Sequence, residues 1–264
     1  MSVEQELAVA TDAAQRAGEV MERHREGGVS VERKSSYTDL VTEADRECQQ
    51  VIVETIREEF PDDGFLGEEN DLRPDGEDRV WVVDPIDGTT NFAHGFPYYG
   101  TSIALTVDGK RTVGVVNVPP QGDLFTAVQG QGAQLNGDPI QTSETGQLKD
   151  ALVAARIADW STVDGDMQGL ETRLLRDIID TPSSFRRGGA AAVDLCNIAA
   201  GRLDGQALLV INQWDIAAGA LIVAEAGGAV RVQDAVFGDY LELVASNGAI
   251  QDELEEVVDR HARG

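Results

Sequence analysis

Only two cysteines occur in the 264 residues, Cys48 and Cys196, far apart and without metal-ligand spacing. Both fall in stretches that read as helices, so buried free thiols are expected and a disulfide framework is excluded. No histidine stands beside either one, which argues against a cysteine nucleophile. No run of 18 apolar residues is present, and the first residues carry neither a basic region nor an apolar core. The expectation is therefore no membrane span, no signal peptide and a cytoplasmic location. Low-complexity linkers and internal repeats are missing too, so one domain over 1–264 is expected, in halves of about 1–148 and 149–264.

Lysine is scarce: Lys34, Lys110 and Lys149 are the only ones among 21 basic residues, which face 47 acids for a net charge of -26. Such a field opposes binding to nucleic acid or to an anionic membrane. An acidic, lysine-poor composition predicts a halophilic protein, working where the Debye length falls to about 3 Å at 1 M salt. The alternative is an ordinary acidic protein, as stable and active in dilute buffer as in molar salt.

What is present is organised around Trp81–Phe92. Val80–Val83 is a short β-branched run that reads as a buried strand ended by Asp84-Pro85. Asp84 and Asp87 then lie three residues apart across a turn, and Gly88, Thr89 and Thr90 read as a helix start. Alone, Asp-Pro-x-Asp-Gly is an ordinary turn. In company it has the parts of a phosphoryl-transfer site, since paired carboxylates hold a hard cation and free amides hold phosphate.

Upstream, Leu7, Ala10, Ala14, Ala17 and Met21 form a helical stripe over residues 3–24, followed by a polar stretch with Lys34. A second helix runs from about Thr42 to Phe60, with Asp45 in its first turn; there it complements the helix dipole or serves a site. Phe65-Leu66-Gly67 leads into Glu68-Glu69, a solvated acidic pair unless Gly67 turns one inward. Downstream, 101–107, 113–118 and 124–128 read as an antiparallel meander. Gly130-Gln131-Gly132 is too weak for a nucleotide loop. The second half alternates strands at 151–155 and 207–211 with helices at 167–179 and 190–200. Arg186-Arg187-Gly188-Gly189-Ala190 suits either an anion or a pairing with surface acids. Asp215 reads as the N-cap of a helix rich in small residues, ending at Glu225-Ala226-Gly227-Gly228. Strands at 229–232 and 241–245 precede an acidic helix expected on the surface.

Taken together, Asp45, Gly67-Glu68-Glu69, Asp84-Pro85-Ile86-Asp87-Gly88-Thr89-Thr90, Trp214-Asp215 and Glu225-Ala226-Gly227-Gly228 resemble the inositol monophosphatase family of magnesium-dependent phosphatases. The resemblance extends from Lys34 to Gly228. It implies a mixed α/β, five-layered α/β/α/β/α sandwich, commonly a homodimer, with two or three Mg2+ ions. It makes Glu68, Asp84, the Ile86 carbonyl, Asp87 and Asp215 the metal ligands, Asp84 bridging two ions and Glu68 also sharing a third, loosely held one with water. Asp45 and Thr89 become the pair that activates the attacking water. Phosphate then sits on the amides of Gly88 and Thr89, the Lys34 loop closes over it, and Gly189, Ala190 and Ala191 form the polyol side, with Asp87 and Asp215 within reach of substrate.

One position departs from the pattern. Inositol-selective members carry a glutamate seven residues before the aspartate of Trp-Asp, where this chain has Leu208. Leucine offers no hydrogen bond to an inositol hydroxyl, and Arg187 is available for a second phosphate. Inositol 1-phosphate and fructose 1,6-bisphosphate are therefore both candidate substrates. The alternatives are a bisphosphate nucleotidase, disfavoured because no aromatic stacking platform is evident, and a silent scaffold, disfavoured because no ligand is lost.

Overall fold

The small-residue stripe of the first helix decides how closely it docks. In the computed structural model, which describes residues 2–27, 31–33, 40–69, 72–156, 165–235 and 240–262, Ala10, Ala13, Ala14 and Ala17 are all fully buried. This helix is α1 (Val3–Gly27). It is followed by β1 (Val31–Arg33), β2 (Leu40–Thr42), α2 (Glu43–Glu59), β3 (Gly64–Gly67), β4 (Arg79–Asp87) and α3 (Thr89–His94). Next come β5 (Gly100–Val107), β6 (Lys110–Val118), β7 (Asp123–Val128), β8 (Gly132–Leu135) and β9 (Asp138–Pro139). The second half holds β10 (Leu152–Ala155), α4 (Gly165–Asp180), β11 (Ser184–Arg186), α5 (Ala191–Ala199), β12 (Gly205–Ile211), α6 (Gln213–Glu225), β13 (Ala229–Asp234), β14 (Leu241–Ser246) and α7 (Gln251–Ala262).

A seven-stranded sheet has the order β3-β4-β5-β6-β7-β8-β9, antiparallel except for the parallel β3-β4 pair. A five-stranded sheet has the order β11-β10-β12-β14-β13, with β11, β10 and β12 parallel. Alternation along the strands separates three cores. Trp81, Val83, Ile103 and Leu105 face α1 and α2. Val82, Ala104 and Val116 face α5 and α6, which also receive Ala154, Leu208 and Leu243 from the second sheet. That sheet's other face, including Val153, Ala207 and Val244, is covered by Leu174 and Ile178 of α4 and Leu254, Val257 and Val258 of α7. The result is the five-layered α/β/α/β/α sandwich expected from the resemblance.

Two local expectations are corrected, and a third holds with one addition. The strand expected to stop at Pro85 continues to Asp87 through an irregularity: Asp84 pairs with Ser102 but Asp87 with Gly100, one residue out of step. A bulge needs no ladder N–H from its extra residue, so proline is accommodated there, and the Pro85 carbonyl accepts from Thr101 Oγ1 at 2.9 Å. Asp215 is not the N-cap of α6; Asn212 is, and Asp215 stands at N3, completing a capping box. The final acidic helix lies in an outer layer but is amphipathic, and its apolar face is core. Both cysteines are buried and free, as expected.

Candidate active site

The bulge in β4 delivers two aspartates to one place. Asp84 is 1% exposed and Asp87 6% exposed. Directly after them Gly88 has φ 92°, and a Cβ there would meet the Tyr98 carbonyl at 3.1 Å and Ala190 Cβ at 3.2 Å, so only glycine makes the turn into α3 without strain. The turn sets the Thr89 hydroxyl 3.1 Å from both Asp45 Oδ1 and the Ile86 carbonyl. Asp45 is itself buried at the start of α2. Two layers thus contribute one hydroxyl–carboxylate pair.

Asp84 carries the strongest electrostatic signature. Burial pushes its carboxyl well above the usual range, and Glu68, Asp87, Asp215 and Asp45 push it further in that order. Burial also drives Asp87 to about 8, with Asp215 adding to the rise and the amides of Val193 and Ala191 opposing it. Asp215 is raised by burial and relieved first by Arg156, whose Nη1 lies 3.9 Å from Asp215 Oδ2. Four carboxylates from β3–β4, β4 and α6 therefore share a field that positive charge would relieve.

These residues fit a hard divalent cation. The donors are all oxygen, and buried Asp84 Oδ1 has no hydrogen-bond partner among the described residues. No three acids, imidazoles or thiolates among the described residues are drawn into a finished cage. Asp87 already serves a second purpose: its oxygens accept from the amides of Ala191 (2.9 Å), Ala192 (2.8 Å) and Val193 (3.2 Å), capping α5 from another layer. A carboxylate has about four lone-pair sites, so capacity for a cation is left.

Sequence-derived candidates are mostly brought together. Asp45 joins Thr89, Glu68 and Asp215 face Asp84, and the 189–191 segment meets Asp87. Asn91 Nδ2 fastens that segment, donating to the carbonyls of Gly188 (2.9 Å) and Tyr98 (2.6 Å). Arg187 is exposed, just beyond β11. Lys34 lies outside the described residues.

Three groups were not singled out from the sequence. Arg156 was one arginine among many, although a cation closing the apolar run of β10 sits where parallel strands present ligands-binding ends. Arg73 donates to the carbonyls of Gly67 (3.0 Å) and Leu72 (2.7 Å), with its guanidinium 5.6 Å from the Trp214 ring centroid, tying the Glu68 turn to α6. Asp194 is the one acid of the buried helix α5, accepting from Tyr98 Oη at 2.5 Å and Gln206 Nε2 at 3.3 Å. Burial drives Asp194 to about 7, opposed by the Tyr98 hydroxyl.

The model of the inositol monophosphatase family matches residues 2–261. The chain belongs to that family. An inositol monophosphatase of Mesembryanthemum crystallinum is 39% identical over 263 residues, spanning 95% of this chain and 94% of the relative. A protein of Pasteurella multocida named Nus factor SuhB is 38% identical over 227 residues, spanning 85% of this chain and 84% of the relative. The crystal structure of extragenic suppressor protein suhB from Bartonella henselae superimposes with a TM-score of 0.88 at 34% identity, covering 97% of this chain and 99% of that one. Inositol monophosphatase family members are metal-dependent phosphoric monoester hydrolases, and the buried carboxylate cluster is where this member gathers oxygen donors.

Proposed function

We propose that the chain is a magnesium-dependent phosphomonoesterase acting on small polyol or sugar phosphates, inositol 1-phosphate and fructose 1,6-bisphosphate among them. The observation that carries this reading is the orphaned, buried Asp84 Oδ1 inside a ring of acids, adjoining the Thr89–Asp45 pair. Glu68, Asp84, the Ile86 carbonyl, Asp87 and Asp215 would hold two or three ions. When bound, Mg2+ lowers the pKa of water and neutralises phosphate and leaving-group charge.

The chain's own groups do the rest. Thr89 donates its hydroxyl proton to Asp45 and turns its lone pairs toward the attacking water, which it orients. Asp45 receives the water's proton through that hydroxyl. The amides of Gly88 and Thr89 hold phosphate oxygens in line with the attack. Gly189, Ala190 and Ala191 border the alcohol side. Leu208 is 1% exposed within the middle core, so it supplies no acceptor for an inositol hydroxyl, which supports a range extending to sugar bisphosphates. We extend the reading to a cytoplasmic homodimer adapted to high salt, which light scattering and activity across a KCl series would check. No helix among the described residues is long and apolar enough to cross a membrane.

Phosphate release from inositol 1-phosphate and fructose 1,6-bisphosphate, with and without Mg2+ in molar KCl, tests the assignment. Mg2+-dependent release from either supports it, and release from neither by a folded, Mg2+-binding protein refutes it.

A further inference from the structure

Arg156 stands at a place where side-chain parity matters. Along β10, Val153 and Ala155 point into the outer core with α4 and α7, while Ala154 points into the middle core. Arg156 follows with the parity of Ala154, toward the active-site layer. The register pairs Val153 with Gly205, Ala154 with Gln206 and Ala155 with Ala207, and Arg156 is the first residue past this paired run. The guanidinium thus rises at the carboxyl ends of the parallel strands β11, β10 and β12, the edge where open α/β sheets present ligands.

Its partners are few. Arg156 Nη1 is 3.9 Å from Asp215 Oδ2, within ion-pair range but beyond a hydrogen bond, and its side chain is 41% exposed. Among the described residues this planar fork of five donors has one loose contact, to Asp215, a short way from the carboxylates that surround Asp84. Arg187 differs: it continues the parity of Phe185, which packs on the outer core, and it is exposed.

We propose that Arg156 is the subsite for a second phosphoryl group of the substrate, the one that is not hydrolysed. This rests on the phosphatase reading above and names the substrate class within it: bisphosphorylated sugars over singly phosphorylated neutral polyols. A bidentate guanidinium–phosphate pair supplies affinity that a neutral hydroxyl at that position does not.

The test compares wild type, R156A, R156K and R187A on fructose 1,6-bisphosphate and inositol 1-phosphate at saturating Mg2+ and fixed KCl, with Mg2+ binding measured by calorimetry without substrate. R156A is expected to lower kcat/KM for the bisphosphate about tenfold to a hundredfold, chiefly through KM, as for loss of a charged hydrogen bond. R156K recovers part of that loss. Inositol 1-phosphate stays within about twofold, R187A alters neither substrate, and R156A binds Mg2+ at least as tightly as wild type because Asp215 loses a competing cation. Equal losses on both substrates, weakened Mg2+ binding, or the selective loss in R187A instead overturns the proposal. Wild type that hydrolyses only the monophosphate overturns it while leaving the phosphatase reading intact; hydrolysis of neither brings down both.

Discussion

Replacing Asp84 by asparagine should move stability in opposite directions with and without metal. Asp84 is buried among four other acids, and its shift originates first in burial and then in Glu68, Asp87, Asp215 and Asp45. Burial and the surrounding acids make ionising it costly. Protonation and sharing with neighbours relieve much of this, so removing the charge should return about 2 kcal/mol at pH 8, within the usual range for a single buried substitution. An asparagine amide at this position offers the neighbouring acids a neutral donor in place of a charge. For a chain of this length the gain corresponds to a Tm rise of roughly 5 °C.

The sign follows from proton linkage. A raised folded-state pKa means that the native protein holds a proton the unfolded chain has lost. Wild-type stability therefore falls as pH rises above the unfolded value near 4, and the advantage of D84N grows as pH rises from 4 to 8. Mg2+ inverts the order. At about one hundred times its Kd a ligand adds about 2.7 kcal/mol to the native state, and D84N lacks the donor at the centre of the cluster. Thermal unfolding in EDTA and in excess Mg2+, at pH 8 and constant KCl, should show the two proteins exchanging rank. D84N less stable than wild type in EDTA, or an equal Mg2+ shift in both, would refute the assignment of Asp84 as the central donor.

Asp194→Asn should flatten the pH dependence of stability between about 4 and 7. Its carboxyl is driven to about 7 by burial, so ionising it above that pH costs up to roughly 4 kcal/mol, and the unpartnered Oε1 of Gln206 can turn to accept from the new amide; denaturant titrations at pH 5 and pH 8 that keep the wild-type difference would contradict this. Thr89→Ala should lower kcat about a hundredfold or more with KM nearly unchanged, while Thr89→Ser retains most activity because the hydroxyl to Asp45 survives. Gly188→Ala should destabilise by about 1 to 3 kcal/mol, since a Cβ there would lie 2.4 Å from Tyr98 Cε1 and 2.6 Å from Asp194 Oδ1; an unchanged Tm would show that the Tyr98–Asp194 contact yields freely.

What was legible in the chain was whatever is encoded locally. Asp84 to Thr90 is contiguous, so strand end, acid pair and helix start could be read together, and the alternation in β5, β6 and β7 showed the meander. Strands β3, β8, β9 and β11 were passed over because they are short, glycine-bearing or polar, and are held by neighbours distant in sequence. The bulge at Pro85 was hidden for a related reason: proline signals an end unless the partner strand is known to slip by one residue. Asp215 looked like a cap by type, but Asn212 three residues earlier takes that place, and Asp215 at N3 accepts from the Asn212 amide while adding its charge to the field around Asp84.

The two arginines make the same point about function. Arg187 stood beside a glycine-rich helix start and drew attention; Arg156 followed the strand read at 151–155 and did not. Their difference is one of strand parity in a parallel sheet whose members come from residues 152–155, 184–186 and 205–211, and parity has functional meaning only once those strands are aligned. With the register in place, one step past the core residue Ala155 at the end of β10 brings a guanidinium to within 3.9 Å of Asp215 Oδ2. In a chain with a net charge of -26, a cation on that face is conspicuous, because the surrounding field repels the phosphate it would receive. If bound Mg2+ reverses that field for the reacting phosphate, a second phosphate farther away still needs its own counter-charge, and Arg156 is the residue whose strand position supplies one.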